Sequence, residues 1–448
     1  MRGRMDYLTI ADALAADIAA GRMRPGERLP PQRRFARQRG IATSTAARVY
    51  GELVRRGLAV GEVGRGTYVR AAAPAPEPAT AEPGGALVDL ELNFSVLPEQ
   101  GALLSASLVR LLRPELLAGA LPPVTVSGTA PAREAAATLL ARAGWGPDPA
   151  RILFAGNGRQ AIAATIAALV PVGGRLGVEA LTYPVVKAVA ARLGVTLVPL
   201  EMDEHGLAPE AVRGAAVRAV YLQPTLHNPL GVTMPPHRRA ALAEVLAERD
   251  LPAIEDGIYA FLHSESDADQ PPLAAHAPDH VVLVDSMSKR IAPGLTLGFA
   301  LPPPALRERV ASALRAGGWS APRFAIEATT LYVTDGTAAT IQAAKRADAL
   351  ARQRIVADRL AGFTVRSDPR AYHCWWELPE PWRAETFVAA AARQGIAVTP
   401  AAAFTVGQGR APNAVRLAVS APPVEVLESS VDALAQLARG RPEDSSLD

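Results

Sequence analysis

From Leu87 onward, short β-branched runs alternate with helix-length segments, and this alternation restricts the fold more than any other feature of the 448-residue chain. Candidate strands fall at 151–154, 175–178, 195–200, 219–222, 252–255, 281–285 and 296–301, with helices fitting between most of them at 160–169, 184–193 and 236–248. Such alternation predicts a mainly parallel sheet with helices on both faces. After Pro322 the pattern becomes helical to about Ala361, and a mixed α/β segment over 363–438 predicts a second, smaller unit.

The first 70 residues follow another plan. A helix is expected over 7–20, with Leu8, Ala11, Leu14, Ala15 and Ile18 on its apolar face. Leu29-Pro30-Pro31 introduces a second helix, 32–39, which stops at Gly40. A third, capped by Thr43 or Ser44, runs to about Arg56 and would bury Ala46, Val49, Tyr50, Leu53 and Val54. Two short strands, 58–60 and 67–69, flank a Gly-rich tip. Three helices and a hairpin predict a winged helix-turn-helix of α+β class. Residues 1–70 hold 14 arginines against 6 acids, a balance of +8, whereas the remainder carries −5. A basic head on a mildly acidic body suggests an anionic partner, nucleic acid first. The third helix can enter a major groove with Ser44, Thr45 and Arg48 toward bases and phosphates. Arg33 can hold the backbone, and Arg65, beside Gly66 at the hairpin tip, can reach the minor groove or a flanking phosphate. A solvated arginine face on a structural module is the competing interpretation.

Residues 71–86 are rich in Ala and Pro and form a semi-extended linker, and 441–448 read as a tail. The body then occupies 87–440, with a large part at about 125–330 and a small part at about 87–124 and 340–440. One cysteine, Cys374, rules out an intrachain disulfide and makes a cysteine metal site improbable; it suits a reducing cytoplasm. No uncharged apolar run is long enough to span a bilayer, and the N-terminus, with Arg2, Arg4 and Asp6, lacks the apolar core of a signal peptide.

The chain has only three lysines, Lys187, Lys289 and Lys345, against 44 arginines. Lys289 ends the run His280-Val281-Val282-Leu283-Val284-Asp285-Ser286-Met287-Ser288-Lys289-Arg290, so a buried strand delivers it to the carboxyl edge of the sheet, where ligands sit. Lysine, unlike arginine, can lose its proton and attack a carbonyl. Ser286 and Ser288 can donate to an anion beside it. A Schiff-base lysine for a phosphate-bearing aldehyde is one reading; an arginine-rich coding bias with an ordinary surface lysine is the other. Further signals converge on it. Gly156-Asn157-Gly158-Arg159-Gln160 follows a strand and opens a helix, offering N–H groups to a phosphate. Tyr183 precedes Pro184 after the next strand and can lie against a planar heterocycle. Asn228 in Asn228-Pro229-Leu230-Gly231 can donate to a phenolate oxygen. Asp256 can pair with a pyridinium nitrogen and make the ring an electron sink; Glu255 is the alternative partner, since strand alternation turns one of the two away from the site.

Two resemblances follow from these motifs. The run GERLPPQRRFARQRGIATSTAARVYGELVRRGL…GRGTYV resembles the GntR-type winged helix, with Thr43 where an arginine is often found. The ordered set Gly-turn, Tyr-Pro, Asn-Pro-x-Gly, Asp-x-x-Tyr, Ser-x-Ser-Lys over about 87–440 resembles the α/β fold-type-I enzymes that use pyridoxal 5′-phosphate, the aspartate aminotransferase architecture. This second resemblance implies that Lys289 joins the cofactor aldehyde and that Asp256 binds the ring nitrogen. It assigns Asn228 and Tyr259 to the ring hydroxyl, and Tyr183 to the ring face. Gly158, Arg159, Gln160, Ser286 and Ser288 would surround the phosphate. Arg416 in AVRLAVS would grip a carboxylate of the effector or substrate. Thr296 stands where a phosphate-binding arginine is frequent, and Arg290 is expected to substitute. The head-plus-body combination is similar to the MocR family of regulators, which implies a cytoplasmic homodimer that binds double-stranded operator DNA and senses pyridoxal phosphate or an amino compound. A working aminotransferase carrying a DNA-binding domain is the alternative, and a degenerate dimer scaffold a third.

Overall fold

The computed structural model describes residues 7–19, 22–24, 26–55, 58–62, 66–70, 86–263, 271–317, 321–407 and 411–442. The linker up to residue 85, the tail from 443 and Arg65 lie outside the described residues.

The head comprises the helices Tyr7–Ala19, Gln32–Arg39 and Thr43–Arg55 and the antiparallel pair Ala59–Glu62 and Gly66–Val69. Gly40 ends the second helix in the left-handed region (φ 62°) and returns its N–H to Ala36 and Arg37. Ile10, Ala11, Leu14, Phe35, Ala46, Val49, Tyr50 and Leu53 form the core. Leu53 is fully buried, and a leucine so placed contributes about 2 kcal/mol. The Tyr50 hydroxyl, which enters that core, donates to the Pro30 carbonyl at 2.6 Å and is thereby served. Val54, expected in the core, is 41% exposed. Positions 46, 49, 50 and 53 already complete an i, i+3, i+4, i+7 stripe, and i+8 drifts to its edge. Gly66 has φ 126°, and a Cβ there would lie 2.7 Å from Arg28 Nε, so the start of the second wing strand requires glycine.

In the body a seven-stranded sheet runs in the order Leu153–Ala155, Gly298–Leu301, Val281–Ser286, Ala253–Asp256, Ala219–Leu222, Arg175–Glu179, Thr196–Leu200. All neighbouring pairs are parallel except the two made by Gly298–Leu301. The strands begin and end within about two residues of the expected positions. Separate apolar clusters cover the two faces, as a sheet buried on both sides requires. A second sheet of five strands has the order Thr364–Ser367, His373–Glu377, Ala414–Ala418, Ile396–Pro400, Val88–Leu90, with its own core around Trp376, Trp382 and Phe387. The helix Gln100–Leu111 falls in the stretch expected to join this smaller unit, but Leu104 and Leu111 are buried in the core of the large sheet. Only Val88–Leu90 of that stretch pairs with the small sheet. Among the described residues no helix is long and apolar enough to cross a membrane.

Candidate functional site

A cavity of about 250 Å³ opens at the carboxyl ends of the parallel strands. Gly158, Arg159, Tyr183, Asn228, Asp256, Tyr259, Ser286, Ser288 and Lys289, nominated from widely separated motifs, all line it.

The strand Val281–Ser286 runs into a one-turn helix, Met287–Arg290, capped by Ser286 Oγ accepting from the Ser288 N–H at 3.3 Å. This turn aims Lys289 into the cavity. Its Nζ donates to the Asn93 carbonyl and stands 3.5 Å from the centroid of the Phe94 ring. Burial, followed by the guanidinium groups of Arg416 and Arg159 and by Lys345, pushes the Lys289 ammonium well below the usual lysine range, which favours the nucleophilic amine.

Asp256 is 3% exposed. Its Oδ2 accepts from Tyr221 Oη at 2.6 Å and Gln223 Nε2 at 2.9 Å, and its Oδ1 from the Ile258 N–H at 3.2 Å. Burial pushes this carboxyl up to about 6 despite those hydrogen bonds. Glu255, next to it on the strand, faces the opposite side and pairs with Arg142 at 3.0 Å, as strand alternation requires. Tyr259 accepts at its hydroxyl from Asn93 Nδ2 at 3.0 Å, and burial raises its phenol. Asn228 keeps a buried side-chain oxygen that no group among the described residues serves. Such an orphan is costly unless a ligand meets it.

At the opposite end, Asn157 caps the helix Gly158–Leu169 by accepting the Gln160 N–H at 2.8 Å. The N–H groups of Gly158 and Arg159 have no partner inside the helix. A Cβ on Gly158 would meet Ser286 Oγ at 3.1 Å, so glycine keeps this cradle open. Ser288 Oγ and Thr296 Oγ1 form a close hydrogen bond at the same wall. Asn157 and Thr296 belong to the lining beside the residues named from sequence.

Three expected residues lie elsewhere. Gln160 does not line the cavity; its Oε1 accepts from the Gly156 N–H at 2.6 Å and braces the turn. Arg290 is not a phosphate anchor either. Its guanidinium is buried and bound to both oxygens of Asp285, to the Leu139 carbonyl and to Gln342 Oε1. Consecutive residues on one helical turn diverge by about 100°, so Lys289 and Arg290 cannot both face the cavity. Arg159 is the guanidinium that lines it. Arg416, on Ala414–Ala418 of the small sheet, stands outside the lining residues; its Nη2 donates to the Glu91 carbonyl at 2.7 Å and Thr399 Oγ1 at 3.0 Å. Its Nε is buried without a partner among the described residues.

Sequence reasoning missed Tyr221 and Gln223, although their i, i+2 spacing on the strand beside Asp256 was a usable signal. It also missed Asn93 and Phe94, for which no motif stood out. In the head, Arg33, Ser44 and Arg48 are exposed, while Thr45 and Gly66 are half-buried.

Comparison with known proteins agrees with this geometry. Residues 124–434 match the family of aminotransferases of class I and II, and residues 6–69 match the bacterial regulatory proteins of the gntR family. A kynurenine aminotransferase from Pyrococcus horikoshii has the same fold, with a TM-score of 0.72 and 22% identity over 79% of this chain and 91% of its own. An archaeal alanine:glyoxylate aminotransferase gives 0.71 and 22% over 80% and 91%. The body is therefore a fold-type-I aminotransferase domain. The uncharacterized HTH-type transcriptional regulator YdeF of Bacillus subtilis is 30% identical over 443 residues, covering 96% of this chain and 94% of that protein. The vitamin B6 salvage pathway transcriptional repressor PtsJ of Salmonella typhimurium is 28% identical over 314 residues, 69% of this chain and 70% of that one. The chain belongs to the MocR-type regulators, a GntR helix-turn-helix joined to an aminotransferase class I and II domain.

Proposed function

We propose that this protein is a cytoplasmic, homodimeric transcriptional regulator that binds double-stranded DNA through its head, holds pyridoxal 5′-phosphate at Lys289, and reads an amino compound through Arg416. The observation that carries this reading is the convergence, in one cavity, of the Lys289 amine, the buried Asp256 carboxyl and the open N-terminus of the helix Gly158–Leu169. The residues present fit the cofactor. The orphan oxygen of Asn228 and the Tyr259 hydroxyl suit a ring hydroxyl. Asp256 suits a ring nitrogen. The Gly158 and Arg159 N–H groups, the Arg159 guanidinium and the hydroxyls of Ser286, Ser288 and Thr296 suit a phosphate. Pyridoxal phosphate, when bound, supplies an aldehyde for an amine and an electron-withdrawing ring.

The protein's own residues perform the rest. Lys289, with its depressed ammonium, provides an uncharged Nζ that can accept and return a proton beside the ligand. Asp256 holds a proton on the ring nitrogen, and Tyr221 and Gln223 fix its carboxyl. Arg416, whose buried Nε has no partner among the described residues, selects ligands that bring a carboxylate. Arg33, Ser44, Thr45, Arg48 and Arg65, with Gly66 shaping the wing, form the DNA-facing set.

A working aminotransferase remains the second reading, because both a proton-carrying lysine and a ring-nitrogen carboxyl are present. A single set of measurements separates the two. Absorbance and borohydride reduction with peptide mapping should place the cofactor on Lys289 and lose it in Lys289→Ala. A promoter shift assay should respond to the cofactor, and an amino acid/keto acid panel should show little steady-state turnover. Robust turnover without specific DNA binding would replace the regulator reading with the enzyme, and a label absent from Lys289 would remove both.

A further inference from the structure

The body begins with the edge strand Val88–Leu90 of the small sheet and continues through residues 91–95, which belong to no helix or strand. The alternate carbonyls of this segment each accept from one basic side chain. The Glu91 carbonyl accepts from Arg416 Nη2 at 2.7 Å, the Asn93 carbonyl from Lys289 Nζ, and the Ser95 carbonyl from Lys345 Nζ at 2.7 Å. These three hydrogen bonds tie the segment to the small sheet at one end and to the cofactor lysine farther along. Its side chains reinforce the hold: Phe94 covers Lys289 Nζ, Asn93 Nδ2 donates to the Tyr259 hydroxyl, and Ser95 Oγ contacts the Tyr372 hydroxyl at 3.2 Å. Lys345 is fully buried and also donates to the carbonyls of Lys289 and Ile291 at 2.9 and 2.5 Å.

We propose that residues 91–95 act as a built-in competitor for the site, holding Lys289, Arg416 and Tyr259 in place before a ligand arrives and yielding the first two to it. The inference rests on the reading of Lys289 as the cofactor lysine. A ligand that takes Lys289 leaves the Asn93 carbonyl without its donor, and a carboxylate that draws Arg416 away does the same to Glu91. Lys345 retains Ser95, so the far end stays anchored and the change falls on the near end. That near end starts from an Asx turn in which Asp89 Oδ1 accepts the N–H groups of Glu91 and Leu92 at 2.7 and 2.9 Å. In sequence the linker from the head enters immediately before it. The segment thereby connects occupancy of the cavity to the point where the DNA-binding head is attached, by differential contact with the two states.

Hydrogen exchange of the full-length protein over residues 88–96, with and without pyridoxal 5′-phosphate, tests this. Attachment at Lys289 is verified in the same sample by borohydride reduction and mapping. Attachment should speed exchange across the segment by up to roughly tenfold, the loss of one buried hydrogen bond. Attachment with unchanged exchange would overturn the proposal and leave the site reading intact; no attachment at Lys289 would overturn both. Asp89→Ala loosens the segment from outside the cavity. It should raise exchange before ligand is added and tighten pyridoxal phosphate binding by roughly fivefold, whereas Asp89→Asn, which keeps the accepting oxygen, should behave as wild type. A loosened segment with unaltered affinity would refute the competition.

Discussion

At the scale of single residues, the site works by placing charge where water cannot screen it. Asp256 illustrates the cost. Its carboxyl is lifted from 3.8 to about 6 because burial opposes the charged form more than Tyr221 and Gln223 support it. Between those two values the folded state binds more protons than the unfolded chain. Stability of the ligand-free protein should therefore fall as pH rises through that window, by on the order of 3 kcal/mol. Denaturant unfolding of wild type and Asp256→Asn from pH 4 to 7 checks this: the difference between the two should change by that amount and level off above pH 6. A ring nitrogen that brings its own proton supplies the missing counter-charge, so bound cofactor should flatten the curve. Arg290 gives the converse lesson. Being next to the lysine in sequence, it was the natural substitute for an absent phosphate-binding arginine. One helical step instead turns it into the core against Asp285.

At the scale of elements, short caps and turns set the geometry. Asn157 takes up the Gln160 N–H of the helix Gly158–Leu169, whose first residues, Gly158 and Arg159, line the cavity with no helical acceptor for their N–H groups. Asn157→Ala should cost about 1 kcal/mol of stability and should weaken phosphate-dependent cofactor binding more than it weakens binding of unphosphorylated pyridoxal. In the head, the helix Thr43–Arg55 keeps Ala46, Val49 and Tyr50 inside and Ser44 and Arg48 outside. Arg48→Ala should lower affinity for DNA of any sequence and reduce the slope of log affinity against log salt by about one, if its contact is to phosphate. Fluorescence anisotropy over a salt series measures this. An unchanged slope with relaxed sequence preference would assign Arg48 to a base edge instead.

At the scale of the whole molecule, the helices Gln100–Leu111 and Pro114–Ala120 and the residue after them leave Val109, Leu112, Leu116 and Leu121 exposed at 63, 58, 40 and 76%. An apolar face of this kind suits a second copy of the chain. Leu112→Glu should shift the protein toward monomer in sedimentation velocity and leave the fold intact by circular dichroism. It should also weaken binding to paired half-sites more than to a single one. Much of this molecule was legible without coordinates. Period-two and period-3.6 hydrophobic patterns report which face of an element is buried, so the strand–helix alternation, the three-helix head and the strand carrying Lys289 could be read from the chain. The motifs around Gly158, Asn228 and Asp256 could be read because each sits at a strand end, where local sequence sets both turn and exposure. Only the tertiary structure decided that the helix Gln100–Leu111 packs on the large sheet, that Arg290 turns inward, and that Asn93 and Phe94 meet Lys289. Those contacts join residues nearly 200 positions apart or hinge on a rotation of one helical step, and hydrophobic periodicity carries no information about either.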